Sequence, residues 1–388
     1  MRTTDKDMDY IDLSKSKTYE KMPFEEQLKI KSDMIQSLFN MPIRPIIPNP
    51  KPKNYRHKAV LSAYNIKVGQ HFQIRLGLYQ EGSKKILPTT KHYLHDKEID
   101  AIFITIEKLL IKYKFRAYHE KSGEGIIKHV VIRKSYAYKN FLVTIVTQGN
   151  LFPNRPKFIK ELISLHPNIV TIVQNIHDKN TPIVLLENEK ILYGPGYIMD
   201  KIGDLSFQIS SRSFYQVNPM QMMNLYEEAF RIANIDKKET VLDTYSGIGT
   251  ITLLAAQKAK FVYGIEINHQ AHQNALQNKK INKISNVHFL NGDVEEIIES
   301  IDVPIDVLIM DPTRDGASIK FIESIKKLKP KKILYISCEP KTQFRDVVQL
   351  SEFYKTEVVQ PVDMFSYTAH VENIVLLSLK NRLKKPFL

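Results

Sequence analysis

Residues 240–250 have the sequence TVLDTYSGIGT, a short apolar run followed by a turn with two glycines and then by a helical pattern. Gly247 and Gly249 allow the backbone to turn sharply and to approach a ligand closely at the N-terminus of the following helix. A dinucleotide-binding fold would also need a third glycine three residues after Gly249, where this chain has Thr252. The stretch therefore predicts a strand, a ligand-binding turn and a helix, and it disfavours NAD as the ligand.

The sequence after this stretch continues to alternate between strand and helix patterns. Following a helix over Met220–Ala233, the predicted strands are Thr240–Tyr245, Phe261–Glu266, Val287–Leu290, Ile305–Asp311 and Ile333–Ser337. The predicted helices are Thr250–Lys258, Gln270–Lys280, Lys320–Leu328 and Thr342–Leu350. Such alternation produces parallel βαβ connections and a sheet with helices on both faces. Two more strand patterns, Thr356–Val362 and Ile374–Leu379, have no helix between them and predict an antiparallel hairpin at the sheet edge.

Polar residues end the predicted parallel strands. They are Asp243, Glu266, Asp293, Asp311 and Cys338. Ligands of open α/β sheets bind at this edge, so we expect these side chains to meet around one site. Glu266 follows Gly247 by about 20 residues, a spacing at which a carboxylate accepts both ribose hydroxyls of an adenosine moiety. Asp293 is expected to face the adenine edge, although acids at strand ends are also common helix caps.

Cys338 is the only cysteine of the 388 residues and follows the predicted strand Ile333–Ser337. Pro340 and the helical pattern after it predict that a helix begins directly beyond the cysteine. The first amides of that helix carry the positive end of its dipole, which lowers a thiol pKa and favours the thiolate. Free cysteines are also among the most buried residue types. On position alone, Cys338 is therefore either a nucleophile or a packing residue.

The composition favours a polyanionic partner and an intracellular location. Lys and Arg number 56 against 42 Asp and Glu, which gives a formal net charge of +14. Such an excess attracts phosphates, although a generally basic proteome would give the same balance. A single cysteine excludes a disulfide framework, a cysteine-ligated zinc site and an iron–sulfur cluster within the chain. With no apolar run of membrane-spanning length and no signal pattern, we expect a soluble cytoplasmic protein.

The chain is predicted to have three parts. Residues 1–57 contain an N-terminal helix and a basic, proline-rich linker, residues 58–211 form a central α+β domain, and residues 212–388 form the alternating domain. The first twenty residues contain few apolar side chains and are expected to dock loosely. An amphipathic helix is predicted over Pro23–Phe39. The apolar residues that recur there at helical spacing are Leu28, Met34, Ile35, Leu38 and Phe39.

The linker ends in a basic cluster at residues 51–58, KPKNYRHK. Basic side chains with an interleaved aromatic, here Tyr55, are typical of surfaces that hold phosphates and stack bases. A solvated basic face is the alternative. In the central domain the predicted strands are Ala59–Asn65, Phe72–Tyr79, Ile126–Arg133, Phe141–Thr147, Val170–Asn175, Ile183–Leu186 and Leu205–Ile209, and the predicted helices are Asp96–Tyr113 and Asn154–Leu165.

Five motifs in order resemble one family, the S-adenosylmethionine-dependent RNA uracil-5 methyltransferases. They are residues 213–218 (SFYQVN), 243–250 (DTYSGIGT), 311–316 (DPTRDG), 337–340 (SCEP) with 345–346 (RD), and 370–373 (HVEN). The resemblance extends from about Pro23 to the C-terminus. It implies a Rossmann-like methyltransferase domain, which has a mostly parallel sheet with a terminal antiparallel hairpin. It also implies that the central α+β domain, residues 58–211, contacts RNA.

The resemblance also assigns roles. It implies that Cys338 is the nucleophile that adds to C6 of uracil and that Glu372 is the base that removes the C5 proton. The residues that would contact S-adenosylmethionine or organise its site are Gln216, Tyr245, Thr250, Glu266, Asp293 and Asp311.

The departures from the family pattern concern the substrate. Thr313 replaces a second proline, and the N-terminal β-barrel and the four iron–sulfur cysteines of many ribosomal-RNA members are missing from this sequence. The motif at residues 214–218 is most like the members that modify 23S ribosomal RNA, so a monomeric 23S rRNA uracil-5 methyltransferase is expected. A transfer-RNA enzyme is the first alternative. A non-catalytic RNA-binding or assembly factor is the second, and retention of both Cys338 and Glu372 argues against it.

Overall fold

The computed structural model of the protein describes residues 19–80, 83 and 85–380. These residues form two compact units. The first comprises residues 19–21, 51–201 and 208–219, and the second comprises residues 22–50, 202–207 and 220–380. The predicted loose docking of the first twenty residues concerns a segment that lies almost wholly outside the described residues. No helix among the described residues is long and apolar enough to span a bilayer.

The second unit begins with helix α1 (Phe24–Phe39), where the amphipathic pattern predicted it. Leu28, Ile35 and Phe39 are buried, whereas Met34 is 37% exposed although it shares their periodicity. Asn40 ends the helix in the left-handed conformation, with φ 49. The buried side of α1 also contains polar residues, which the apolar pattern did not predict.

The first unit is built on a seven-stranded sheet and two helices. Its strands are β1 (Lys58–Val68), β2 (His71–Tyr79), β3 (Ile86–Pro88), β4 (Ile127–Lys134), β5 (Phe141–Thr147), β6 (Ile169–Ile176) and β7 (Glu189–Tyr193), in the spatial order β3-β2-β1-β4-β5-β6-β7. All neighbouring strands are antiparallel except β5 and β6. Helices α2 (Lys97–Lys112) and α3 (Arg155–Leu165) contribute to one apolar core with this sheet.

The predicted strand Ile183–Leu186 is wrong, because the strand at this point of the first unit is β7, at Glu189–Tyr193. The side chain of Asn175 takes the place of a strand neighbour there: its Oδ1 accepts the Leu186 N–H at 3.0 Å and its Nδ2 donates to the Leu186 carbonyl at 2.7 Å. Val184 is buried against valines of the sheet, so its apolar character reflects packing rather than strand structure.

The expected basic surface at residues 51–58 is wrong for its central residues, 55–57. Lys51 and Lys53 are exposed, but Tyr55, Arg56 and His57 are buried, with exposures of 2%, 4% and 8%. The Arg56 backbone forms an isolated bridge with His95, which draws this part of the segment into the unit. The aromatic that was expected to stack on bases is therefore a core residue.

A two-stranded sheet of β8 (Tyr197–Ile202) and β9 (Leu205–Ser210) precedes helix α4 (Pro219–Ala233). The remaining strands are β10 (Thr240–Asp243), β11 (Phe261–Glu266), β12 (Val287–Asn291), β13 (Val307–Met310), β14 (Lys332–Ser337), β15 (Tyr354–Val362) and β16 (Glu372–Leu379). The remaining helices are α5 (Thr250–Ala256), α6 (His269–Ile281), α7 (Val294–Ile297), α8 (Ile319–Leu328) and α9 (Pro340–Leu350).

The main sheet of the second unit has the order β12-β11-β10-β13-β14-β16-β15. Strands β10 to β14 are parallel, as the alternating pattern predicted. Strand β16 lies antiparallel between β14 and β15, so the predicted terminal hairpin is present at the sheet edge. The carboxyl ends of the parallel strands meet at one edge, which is where polar side chains gather.

Candidate active site

The edge of the second unit's sheet brings together most of the predicted site residues. Asp243 and Glu266 end β10 and β11, while Asp311 and Cys338 directly follow β13 and β14. Asp293 was expected to end a strand, but it does not. It lies two residues beyond β12, and its Oδ1 accepts the Glu295 N–H at 2.9 Å as the N-cap of α7.

The glycine turn after β10 is tied to Glu266. The Gly247 N–H donates to Glu266 Oε2 at 2.9 Å, and the Asn268 N–H donates to Oε1 at 2.6 Å. Gly247 has φ 55, and a Cβ added there would meet no heavy atom within 4 Å. A Cβ at Gly249, with φ 86, would lie 2.9 Å from the Phe289 ring. The turn is therefore packed at its second glycine and open at its first, where a ligand can approach.

Thr252 occupies the position at which a dinucleotide fold requires glycine, and it has a different contact. Its Oγ1 donates to Asp243 Oδ2 at 2.6 Å. Burial raises the pKa of the Asp243 carboxyl to about 6, and the charge of Glu266 adds to this rise, while the bond from Thr252 opposes it. Asp311 has its pKa raised to about 7, first by burial and then by the charge of Asp243. The edge thus holds several carboxyl groups that destabilise one another's negative charge.

Tyr245 and Thr250 lie at the two ends of the same turn. The ring of Tyr245 makes an edge contact with Phe321, with centroids 5.8 Å apart. Thr250 is the first residue of α5 and bonds with the hydroxyl of Tyr226 on α4. Burial raises the pKa of Tyr226, and the charge of Asp311 reinforces the rise. Sequence reasoning missed Tyr226, because it lies on the apolar side of an ordinary helix pattern.

Cys338 directly follows β14, and Glu372 is the first residue of the neighbouring strand β16. Ser337 pairs with Asn373 in the antiparallel register of β14 and β16, so Cys338 and Glu372 are the next opposing positions. Helix α9 also bonds the residue that follows Glu372. Gln343 Nε2 donates to the Asn373 carbonyl at 3.1 Å, and Asn373 Nδ2 donates to Gln343 Oε1 at 2.8 Å. The end of β14 and the start of β16 therefore bring the thiol close enough to the carboxyl for the charge of Glu372 to act on it.

The ionisation of this pair differs from the sequence expectation. Burial raises the pKa of the Cys338 thiol above its ordinary value, and the charges of Glu372 and Asp311 raise it further. A bond from the Arg314 guanidinium lowers this pKa but does not reverse the shift. Glu372 is 2% exposed, its Oε2 has no hydrogen-bond partner among the described residues, and burial raises its pKa well above the ordinary value. The expectation of a lowered thiol pKa is wrong, because burial and the charges of two neighbouring carboxylates raise it.

Arg314 reaches this pair from a loop that α9 holds in place. Thr342 Oγ1 donates to the Arg314 carbonyl at 2.9 Å, and the Ala317 N–H donates to Asp346 Oδ2 at 2.7 Å. Gly316 lets the loop pass close to α9, because a Cβ on it, at φ 75, would lie 2.6 Å from Asp346 Oδ2. Arg314 was part of a motif in the sequence but received no role there.

Gln216, the remaining predicted cofactor residue, belongs to the first unit, where it is buried. The other predicted residues lie in the second unit. The second unit thus carries a thiol, a buried carboxyl and a guanidinium beside a glycine turn with an attached carboxylate.

Comparisons with known proteins identify relatives of this chain. The family described as tRNA (uracil-5-)-methyltransferase matches residues 183–380. A protein of Oceanobacillus iheyensis described as an uncharacterized RNA methyltransferase is 38% identical over 372 residues, which cover 92% of this chain and 80% of that protein. A protein of Halalkalibacterium halodurans with the same description is 36% identical over 371 residues, covering 93% and 80% of the two chains.

A solved structure shares the fold. The tRNA (uracil-54, C5)-methyltransferase of Pyrococcus abyssi, crystallised with S-adenosyl-L-homocysteine, superimposes with a TM-score of 0.77 at 23% identity. The match covers 93% of this chain and 85% of that one. The expected α/β methyltransferase fold is confirmed.

Proposed function

Because the chain belongs to the tRNA (uracil-5-)-methyltransferase family, we propose that it methylates C5 of a specific uridine through a covalent bond between Cys338 and C6. It is an S-adenosylmethionine-dependent RNA methyltransferase, as the sequence motifs predicted. The observation that carries the proposed chemistry is the proximity of Cys338, directly after β14, to Glu372 at the start of β16, whose charge raises the pKa of the thiol.

The residues at the strand ends fit S-adenosylmethionine. Glu266 has both oxygens oriented by backbone amides beside the open side of Gly247, so its remaining lone pairs can accept ribose hydroxyls. The pKa values of Asp243 and Asp311 are raised partly because the negative charges of neighbouring carboxylates repel one another. A cationic ligand relieves that repulsion, and the cofactor has both an ammonium and a sulfonium group. When bound, it supplies an electrophilic methyl group. Tyr245, Thr250 and Asp293 are proposed to complete its site.

Cys338 performs the first covalent step in this proposal. The thiol loses its proton to solvent, its sulfur bonds to C6 of uracil, and the electrons of the C5–C6 double bond make C5 nucleophilic toward the methyl group. The Arg314 guanidinium favours the thiolate, because it is the cation that bonds the sulfur. A uracil must leave its base stack to reach this edge, which costs a few kcal/mol in paired RNA.

Glu372 performs the last step. After methyl transfer, C5 carries both the methyl group and its original proton. Glu372 takes that proton, the C5–C6 double bond re-forms, and the bond from C6 to the sulfur breaks. Only the ionised form of Glu372 can accept this proton, and the charge of Arg314 favours that form by lowering the pKa of the carboxyl. Once ionised, a carboxylate whose pKa is raised by burial is a stronger base than an exposed one, which suits removal of a carbon-bound proton.

The first unit is proposed to hold the flanking RNA. The loop at residues 135–139 presents Tyr138, which is 47% exposed, and Lys139, whose Nζ lies 4.4 Å from the centre of the Tyr136 ring. The loop is fixed, because the buried carboxylate of Asp200 accepts the Tyr136 N–H at 2.9 Å. A rigid loop with aromatic rings and ammonium groups is suited to stacked bases and phosphates.

The proposed target is a uridine of 23S ribosomal RNA, with transfer RNA as the alternative. The resemblance at residues 214–218 supports the first, and the described substrate of the Pyrococcus abyssi protein supports the second. Mass spectrometry of both RNA classes from cells lacking the protein decides between them. Loss of 5-methyluridine from 23S rRNA alone supports the proposed target, and loss from transfer RNA alone refutes it. We expect the protein to act as a monomer.

A trapping experiment tests the proposed chemistry. Wild-type protein should form a gel-stable complex with RNA containing 5-fluorouridine, because fluorine cannot be removed as a proton would be. Cys338→Ala should form none, since it lacks the nucleophile. Glu372→Gln should accumulate a methylated complex with ordinary RNA, because addition and methyl transfer proceed while elimination stalls. If RNA that binds the protein gives no Cys338-dependent complex in either case, the covalent route is wrong.

A further inference from the structure

One face of helix α1 carries buried polar groups. Phe24, Gln27 and Lys31 are spaced by three and four residues and therefore lie on the same side of the helix. Gln27 and Lys31 are each only 1% exposed. A fully buried lysine is rare, because its charge loses hydration and must be compensated by partners.

The partners lie in the loop at residues 363–371, which joins β15 to β16. Lys31 Nζ donates to Asp363 Oδ1 at 2.6 Å and to the Phe365 carbonyl at 3.0 Å. The Tyr367 N–H donates to Gln27 Oε1 at 2.9 Å. Tyr367 has φ 59, a strained conformation for a residue with a side chain, so it persists only where its surroundings fix it. Helix α1 therefore holds this loop at three of its residues.

The extended segment after α1 holds the same loop from another side. Ser366 Oγ donates to Asp363 Oδ2 at 2.5 Å, and Asn49 Nδ2 donates to Ser366 Oγ at 2.9 Å. The Asp363 N–H donates to the Ile47 carbonyl at 2.9 Å. Both oxygens of Asp363 are thus bonded, one to Lys31 and one to Ser366.

The loop leads directly to the proposed base. It ends at Glu372, which pairs with Val362 where the loop begins. Within it, the Phe365 ring makes an edge contact with the His370 ring, and His370 Nε2 lies 3.5 Å from Arg314 Nη2. The same loop is therefore bonded to α1 at one end and lies against the guanidinium that contacts the thiol at the other.

A purely stabilising role explains the ion pair poorly. Replacing a buried ion pair by apolar side chains of similar volume is commonly neutral or stabilising, whereas its directional bonds fix one geometry. The Lys31 ammonium bonds a side chain and a backbone carbonyl of one loop, which fixes that loop's position and path.

We propose that Lys31 and Gln27 are positioning residues for proton removal: they hold the loop at residues 363–371 so that Glu372 faces C5 of the bound uracil. This inference rests on the proposed covalent function. It predicts that loosening the loop impairs elimination more than nucleophilic addition, because the loop continues directly into Glu372, whereas Cys338 lies between β14 and α9.

The test compares Lys31→Met with Lys29→Met, which removes an exposed lysine from the same helix. Each full-length variant is given S-adenosylmethionine and an RNA that the wild type methylates, and separately the 5-fluorouridine form of that RNA. Turnover of Lys31→Met should fall about tenfold or more, since a misplaced base loses much of its contribution. The methylated protein–RNA complex should accumulate, while the rate of complex formation with 5-fluorouridine RNA stays within about twofold of wild type. Lys29→Met should match the wild type in all three measurements.

Gln27→Leu provides a second variant that leaves the ion pair intact. It removes the acceptor of the Tyr367 N–H and should also accumulate the methylated complex, to a smaller extent. If Lys31→Met does not fold, judged by circular dichroism, accumulation in Gln27→Leu supports the inference and wild-type behaviour overturns it. A parallel loss of turnover and of 5-fluorouridine trapping in folded Lys31→Met also overturns it. A wild-type protein that forms no complex with 5-fluorouridine RNA refutes the proposed function, and this inference with it.

Discussion

Arg314→Met should make the only thiol of the protein less reactive. The Arg314 guanidinium bonds the Cys338 sulfur and lowers its pKa against the raising effects of burial, Glu372 and Asp311. Removing the guanidinium therefore raises the pKa further. The thiolate fraction at any pH below that pKa falls, and the loss is recovered only as the pH rises.

The magnitude follows from one charge-assisted hydrogen bond. Such a bond contributes about 1.5–3 kcal/mol, which corresponds to roughly one to two pKa units. A thiolate of higher pKa is also more nucleophilic, with a Brønsted coefficient of about 0.5 in thiol–disulfide exchange, so about half of the loss is compensated. We therefore expect Arg314→Met to react about three to ten times more slowly than the wild type with a disulfide reagent at the same pH.

The assay uses the fact that Cys338 is the only cysteine. An uncharged dipyridyl disulfide reports the reaction by absorbance, and every modified molecule is modified at Cys338. In both proteins the logarithm of the rate should rise with pH at unit slope, with the Arg314→Met line displaced downward. Lys341→Met, which removes an exposed charge from the first turn of α9, is the matched control and should not be displaced. An Arg314→Met rate equal to or above that of the wild type across the pH range would show that the guanidinium does not sustain the thiolate.

Two further predictions concern the ligands. Glu266→Ala should weaken S-adenosylmethionine binding about tenfold or more, since charge-assisted bonds to ribose hydroxyls contribute about 1.5–3 kcal/mol; unchanged affinity by calorimetry would count against this cofactor site. RNA affinity should fall steeply with salt, and replacing Lys51, Lys53 and Lys139 with alanine should flatten the log–log slope by about 0.7–0.9 for each phosphate that these lysines neutralise. An unaltered slope in fluorescence titrations would mean that RNA binds elsewhere.

The fold of the second unit could be predicted because each of its helices and strands is recognisable from neighbouring residues in the sequence. Each strand or helix pattern there is a short run with its own periodicity, and the parallel arrangement follows from their alternation. The prediction of a strand at Ile183–Leu186 was wrong because it, too, rested on local periodicity alone. Periodicity reports that Val184 is buried, but not that the side chain of Asn175 bonds the Leu186 backbone in place of a neighbouring strand.

The contacts that position the proposed catalytic groups could not be predicted from patterns. Lys31 and Asp363 are separated by 332 positions, and no periodicity relates them. A lysine in an amphipathic helix ordinarily marks the solvated face, so Lys31 would be placed on the wrong side of α1. Tyr226 and Arg314 were missed similarly, because their importance depends on which distant carboxyls and thiol the fold brings beside them.

The ionisation of Cys338 shows why position in a fold does not determine reactivity. A helix N-terminus contributes a partial positive charge, whereas burial and two neighbouring carboxyls act against the thiolate together. The resting thiol is therefore held neutral, and a neutral thiol is slow to oxidise or to react with stray electrophiles. Nucleophilic addition then requires added positive charge near the sulfur or relief of the neighbouring negative charge. Arg314 supplies part of the first. In the proposed function, the cationic cofactor beside Asp243 and Asp311 is expected to supply the second, so that the reactivity of the thiol is expected to rise when the cofactor is bound.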